Sequence, residues 1–315
     1  MANIHGTDRN DLLLGTNGAD TIEGRKGHDS IQAGGGNDTV WGNAGDDTLF
    51  GNKGSDSINA GQGDDTIVWT NGDGSDVVDG GAGFDTQRVE GSLTAGETFT
   101  LGAGGTGGAL FQRSSQVAFS IDMDNVEKLV LKGFGGDDSF SITGDLSKTE
   151  LRSAEFFGGD GNDTANGGSW TLPLVLDGET GDDDLTGGAG NDWLVGGQLD
   201  AGADKLSGGA GDDLIEGNAG DDILTGGEGA DVFLVEADGG LDTIQDFVSG
   251  EDRIALRDFV GPGGAPLTWD DLSGKISVSG GNTTIDLTSF GADAAADTIT
   301  VLGYGTLTES DFAFI

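Results

Sequence analysis

Between residues 6 and 68 an aliphatic side chain recurs every nine positions: Leu13, Ile22, Ile31, Val40, Leu49, Ile58, Ile67. Each stands between polar or variable neighbours, and glycine follows within two residues of Leu13, Ile22, Val40 and Leu49. Three residues with one apolar member in the middle predict a short strand with one buried position, because successive strand side chains point to opposite faces. The six residues before each triplet carry glycines that permit positive φ, so they predict a tight turn. Turn plus strand, repeated, predicts a solenoid in which two nonapeptides make one coil. The coils then stack as parallel strands, and the aliphatic column becomes the core.

The phrase runs without a gap through GTDRNDLLL, GTNGADTIE, GRKGHDSIQ, AGGGNDTVW, GNAGDDTLF, GNKGSDSIN and AGQGDDTIV. Its sixth position is invariant: Asp11, Asp20, Asp29, Asp38, Asp47, Asp56 and Asp65. Two looser units carry Asp76 and Asp85, and isolated copies place Asp138 and Asp163. A second block over 178–234 carries Asp183, Asp192, Asp204, Asp213, Asp222 and Asp231, with one copy lengthened by three residues, GGQLDAGADKLS. Solvated loops do not require Asp at position six while position five varies among Asn, Ala, His, Asp and Ser.

Stacking sets each loop on the loop eighteen residues earlier. Aspartate oxygens and loop carbonyls, such as those of Gly34, Gly36, Asn43, Gly45, Gly188, Gly190, Gly209 and Gly211, then face one another. A cage of hard oxygens suits Ca²⁺, which takes about 6–8 of them. An ion between each loop and the loop two units later gives roughly nine ions, more if the looser loops take part. Arg9 at a fourth position, and Arg25, Lys26 and His28 crowded into one loop, weaken the expectation at Asp11 and Asp29.

GGAGNDWLV, GGAGDDLIE and GNAGDDTLF resemble the glycine- and aspartate-rich nonapeptide of RTX proteins. The resemblance implies an all-β, right-handed parallel β-roll or β-helix solenoid with Ca²⁺ between loops. DTIQDFVSGEDRIALRDF resembles the cap that follows the repeats in serralysin-type metalloproteases. The end, LTESDFAFI, resembles the uncleaved C-terminal signal of type I secretion substrates, which implies a type I secretion apparatus as partner and an extracellular location. The start, MANIHGTDRNDLLLG, has no basic segment and only a three-residue apolar run, so it does not read as a secretory signal peptide.

The expected organisation is a calcium β-roll over 1–88, a wider β-helix-like segment over 89–157, a second calcium β-roll over 158–234, and a β cap with the secretion signal over 235–315. The middle is expected as longer rungs of one solenoid; a small β-sandwich insert is the competing reading. In the cap, ISVSGGNTTIDL and DTITVLGYG read as antiparallel strands.

Composition sharpens the picture. Of 315 residues, 63 are Gly, 56 are Asp or Glu and 14 are Lys or Arg, for a net charge of -42. That balance argues against nucleic acid, whose binding needs clustered cations, and favours cations as ligands. There is no Cys, hence no disulfide or thiolate site, and no apolar run long enough for a membrane span.

A search for an active site finds little. HExxH is absent, and the two histidines are His5 and His28. GAGGTG at 102–107 does not open onto a helical pattern, so it reads as a loop. Arg113, Lys128, Lys132, Lys148 and Arg152 gather in the middle segment, where an enzyme acting on an acidic polysaccharide could hide. The leading reading is a non-enzymatic, secreted calcium-binding protein. The alternative is a calcium-shaped adhesin or matrix protein for polysaccharide or a cell surface. For a contact surface the reading points to the ninth-position column Leu14, Gln32, Phe50 and Val68 beside Trp69.

Overall fold

The computed structural model describes residues 1–105, 107–197, 201–237, 240–290 and 297–315. The chain divides into two compact units, Met1–Phe156 and Phe157–Ile315.

In the first unit the nonapeptides alternate between two parallel sheets. One holds Asn3–His5, Thr21–Lys26, Thr39–Ala44, Ser57–Gln62 and Asp76–Ala82. The other holds Leu12–Leu14, Ser30–Gln32, Thr48–Phe50, Thr66–Thr70, Thr86–Glu90 and Lys128–Gly135. The register steps by eighteen, as in Thr21↔Thr39 and Thr39↔Ser57. Ile22, Val40 and Ile58 of one sheet and Ile31, Leu49 and Ile67 of the other are buried. Each contributes about 1.5–3 kcal/mol of apolar burial, which is why position eight is aliphatic throughout.

The middle departs from the expected longer parallel rungs. Thr98–Ala103, Ala109–Arg113 and Phe119–Asp124 form an antiparallel meander. Its outer strands join the first sheet in parallel, Ile121–Asp124 beside Asp76–Asp79 and Thr98–Leu101 beside Ser139–Ile142. The linkers are too short for a parallel crossover, so the chain must turn back on itself. GAGGTG is the first of these turns, closed by Gly104 N–H donating to the Gly108 carbonyl at 2.8 Å; Thr106 lies outside the described residues. The meander also brings an apolar core that the repeats do not contain. Trp69 stacks on Phe119 at 3.7 Å between ring centroids, and Phe111 lies between Phe119 and Phe99.

The second unit repeats the two-sheet plan. Thr164–Asn166, Asp184–Thr186, Lys205–Ala210, Ile223–Glu228, Leu241–Ile244 and Thr298–Val301 run parallel. So do Leu174–Thr180, Trp193–Gly197, Leu214–Asn218, Val232–Glu236, Arg253–Arg257 and Phe312–Phe314. Here the lengthened copy stretches the register to twenty-one, as in Asp184↔Lys205 and Trp193↔Leu214; its residues 198–200 lie outside the described set. Ile276–Ser279, Asn282–Asp286 and Thr298–Val301 are antiparallel, as their sequence suggested. A short helix, Trp269–Ser273, starts at a capping box between Thr268 and Asp271.

Candidate calcium-binding loops

Every sixth-position aspartate from Asp20 onward is buried under the loop stacked on it, while Asp11 in the first loop is only partly covered. Its Oδ1 accepts the backbone N–H of the aspartate one coil earlier. In the first unit one ladder runs Asp20 to Asp38, Asp38 to Asp56 and Asp56 to Asp76, at 2.7, 2.7 and 2.9 Å. The other runs Asp11 to Asp29, Asp29 to Asp47, Asp47 to Asp65 and Asp65 to Asp85, at 2.7–2.8 Å. In the second unit Asp163, Asp183, Asp204 and Asp222 form one ladder, and Asp192, Asp213 and Asp231 another.

The second carboxylate oxygen separates the loops into two kinds. In Asp29, Asp38, Asp47, Asp56, Asp65, Asp85, Asp213 and Asp231, Oδ2 is buried and has no hydrogen-bond partner. A buried unsatisfied polar group costs about 1–3 kcal/mol, and more when charged. Eight such oxygens amount to on the order of 10 kcal/mol, as much as a domain's whole stability. The penalty shows in the carboxyl groups themselves. Burial raises Asp47, Asp56 and Asp231 to about 6 and Asp65 and Asp213 to about 7, against an ordinary 3.8.

In Asp11 and Asp20 the same oxygen is satisfied by the protein. Thr7 N–H and Oγ1 both donate to Asp11, and Thr16 N–H and Oγ1 to Asp20 at 2.6 and 2.7 Å. Thr16 holds Asp20 down at about 2. Other loops place Arg25, Asn43, Asn52, Glu179 or Asn218 at this second position with positive φ. A β-branched threonine avoids that region and turns its hydroxyl into the loop instead. The sequence singled out Asp11 and Asp29 as weak; the geometry sets apart Asp11 and Asp20, while Asp29 keeps its bare oxygen. Asp192 is intermediate, with Oδ2 accepting Gly188 N–H at 2.6 Å.

Backbone carbonyls supply the rest of the donor set. Fourth-position carbonyls are aimed at the next loop of their column. A Cβ on Gly45 would strike the Gly27 carbonyl, one on Gly63 that of Gly45, and one on Gly211 that of Gly190. First-position glycines make room for the aspartate: a Cβ on Gly24 or Gly42 would lie 2.5 Å from Oδ2 of Asp29 or Asp47. Gly34, Gly36 and Gly209 have positive φ in the same loops. The Gly34 and Gly188 carbonyls are taken by Lys53 and Ala210 N–H groups. Among the described residues no three His, Cys, Asp or Glu side chains converge to hold a metal. One carboxylate oxygen per loop among carbonyls is a hard, all-oxygen set, which fits Ca²⁺ and not a thiophilic or imidazole-seeking metal.

Four ladder members escaped the sequence reading. Asp65 passes its ladder to Asp85 and Asp85 to Glu127, whose Oε2 accepts Asp85 N–H at 2.8 Å. Glu97 N–H donates to Asp138 at 2.7 Å. Asp222 leads to Asp242 and Asp231 to Asp252. Asp242 and Asp252 precede a polar and then an aliphatic residue, DTI and DRI, a signal that survives without the glycines. Glu127 opens the same pattern, EKL, with glutamate in place of aspartate, and Glu97, in ETF, precedes an aromatic residue instead.

Two of the five cations of the middle segment are paired with carboxylates. Arg113 is buried against Glu97, and Lys128 pairs with Glu155 at 2.6 Å. On the outward face, Leu14 is 58% exposed and Val68 only 2%, so the ninth-position column is open at one end alone.

Comparison with known proteins agrees with this geometry. The model of the family described as RTX calcium-binding nonapeptide repeat (4 copies) matches residues 5–40, 41–68, 71–87, 155–169, 175–198 and 199–233. The chain belongs to that RTX repeat family, and its repeats are calcium-binding repeats. No curated protein matches the chain. Among solved structures, the extracellular lipase LipA from Serratia marcescens aligns over 98% of this chain and 39% of its own, with 16% identity and a TM-score of 0.27. The chain thus spans well under half the length of that protein.

Proposed function

We propose that this chain is a secreted calcium-binding protein without catalytic activity, whose loop columns order when Ca²⁺ reaches them outside the cell. The row of buried, unpartnered aspartate Oδ2 atoms carries the reading. Bound Ca²⁺ would supply positive charge and coordination to those oxygens. The aspartates of both ladders and the fourth-position carbonyls would hold it, roughly one ion per pair of stacked loops and about nine or more in all. Extracellular sites of this class have dissociation constants of about 10⁻⁴–10⁻³ M, and at tenfold saturation each adds about 1.4 kcal/mol. Several sites together offset the cost of burying the carboxylates. Where Ca²⁺ is scarce, a chain of net charge -42 repels itself and stays open for export by a type I apparatus. The segment LTESDFAFI serves two ends in this reading. Phe312–Phe314 pairs with Ile254–Leu256, and the same residues would be read by the exporter before folding.

A calcium titration of the purified chain by circular dichroism and small-angle scattering tests this. The expected result is cooperative compaction at about 10⁻⁴–10⁻³ M Ca²⁺. Compact, fully β loop blocks in excess chelator would overturn it. A second reading, an adhesin shaped by calcium, draws on exposed Leu12 and Leu14 and, past Gln32 on the same outward face, half-buried Phe50. A glycan array probed with and without Ca²⁺ separates the two.

A further inference from the structure

The first ladder does not continue regularly past Asp76. The next loop, Gly91–Glu97, belongs to a chain that has entered the meander, and its sixth-position role falls to a glutamate. Glu97 reproduces the aspartate pattern closely. Its Oε2 accepts Ser92 N–H at 2.6 Å, as Asp20 Oδ2 accepts that of Thr16, and its own N–H donates to Asp138 Oδ1. Its remaining oxygen, Oε1, accepts from Arg113 Nη1.

Arg113 has nowhere else to be. Its side chain is 2% exposed and that of Glu97 0%. Nη1 also donates to Asn71 Oδ1 at 2.8 Å, in the Asp76 loop, while Nε and Nη2 both donate to the Val117 carbonyl at 3.0 and 2.7 Å. The guanidinium carbon sits 4.9 Å from the Phe119 ring centroid and 5.3 Å from that of Trp69. Trp69 Nε1 in turn donates to the carbonyl of Gly74, the fourth-position glycine of the Asp76 loop, at 2.8 Å. In regular coils, fourth-position carbonyls and aspartate oxygens face a stacked loop; here side-chain N–H groups meet them.

We infer that Arg113 is the resident cation of the loop column, taking between the Asp76 and Glu97 loops the place that Ca²⁺ takes between regular loops, so that the meander 98–124 orders without metal. The inference rests on the calcium reading for its comparison, but not for its test. A guanidinium is charged at every accessible pH and offers fixed donors in several directions. Its buried charge is matched by one carboxylate, and its donors are met by three acceptors, the condition under which a buried pair persists. The aromatic faces add cation–π attraction. The same rings form the apolar core absent from the repeats, so charge and packing are settled together without an ion.

Hydrogen exchange of the full chain in excess chelator at neutral pH tests this. Amides of 98–103, 109–113 and 119–124 are expected to exchange at least tenfold more slowly than those of 39–50 and 57–67. Arg113→Met should abolish that difference, because Glu97 is left buried without its cation. The double variant Glu97→Gln with Arg113→Met should recover at least part of the protection, showing that charge compensation and not arginine's bulk is at stake. Equal, fast exchange of meander and loops in the wild type overturns the inference. So does an Arg113→Met chain whose meander exchanges within twofold of wild type, or a double variant no better than the single one. If 39–50 and 57–67 are also protected in chelator, the calcium reading fails. Arg113 is then still judged by the variants' effect on the meander alone.

Discussion

Asp65 divides its two carboxylate oxygens between two tasks: Oδ1 accepts the N–H of Asp47 at 2.7 Å, and Oδ2 is buried with no partner. The first oxygen ties successive coils together and needs no metal. The second is a cost that only a cation or a proton removes. Asp65→Asn keeps an acceptor and replaces the bare oxygen with an amide. The expected outcome is a chain that tolerates chelator better but binds fewer ions, since the amide offers donors where a cation would sit. Asp65→Ala removes both functions and is expected to cost about 1–3 kcal/mol even at saturating Ca²⁺, because Asp47 N–H is left buried and unpaired. Calorimetric stoichiometry together with chemical denaturation distinguishes the two. An Asn variant with wild-type ion count would remove Oδ2 from the ligand set.

Loop glycines with positive φ are required for two separable reasons, seen at the fourth-position Gly63 and the second-position Gly72. Gly63 has φ +127, and a Cβ there would also strike the Gly45 carbonyl. Gly72 has φ +105 but nothing within 4 Å of its Cβ position. Gly72→Ala is therefore expected to cost only the left-handed strain, about 1–2 kcal/mol. Gly63→Ala adds a backbone collision and should cost well beyond that, with a weakened calcium midpoint. Thermal melts of both variants at saturating Ca²⁺ check the order; equal losses would mean that the stacked carbonyl yields easily.

The regular columns were legible because a strict period does the work of an alignment. Position eight marks the core and position six the ladder, and both follow from counting. What was not legible lies where the count breaks. Glu97 and Glu127 take aspartate's role where the loop departs from six residues: Glu97 is the seventh from Gly91, and Glu127 follows Asp124 by three residues where Asp85 follows Asp79 by six. Arg113 looked like one of five surface cations, and its burial depends on a meander that no nonapeptide encodes. The apolar core of the meander was not legible either. Phe99, Phe111 and Phe119 come together only through antiparallel pairing across short turns. Asp20 looked like every other member of its column, and Thr16 four residues earlier is what sets it apart.

Thr7 and Thr16 give a further test. Each satisfies its aspartate with a backbone and a hydroxyl donor. Thr16→Val removes the hydroxyl while keeping shape and backbone. Asp20 is then expected to lose about 1 kcal/mol of hydrogen bonding and, with Thr16 N–H as the donor left to Oδ2, to become intermediate like Asp192 and more dependent on a cation. The measurement is the calcium dependence of melting. Wild type and Thr16→Val should differ most in chelator and converge at high Ca²⁺. A constant difference at every calcium concentration would show the hydroxyl to be structural only.

Protons and calcium compete for the same oxygens, and the direction of the competition is fixed. In the folded loops burial raises Asp47 and Asp56 to about 6 and Asp65 and Asp213 to about 7, from 3.8 in an open chain. A carboxyl with a raised folded value stabilises the fold when protonated. That contribution is complete below about 4 and is lost as pH rises through 6–7. Without metal, the loop blocks are therefore expected to be most compact near pH 4–5 and to open toward pH 8, the reverse of ordinary acid denaturation. With metal the sign inverts. Binding must displace those protons, so calcium affinity should climb between pH 5 and 7.5, and calcium added at pH 6 should release protons into the buffer. Circular dichroism in chelator across pH 4–8, with calorimetry in buffers of different ionisation enthalpy, reads both effects. A metal-free chain that grows more ordered as pH rises from 5 to 8 would contradict the buried, unpartnered state of these aspartates, and with it the reason the loops need an ion.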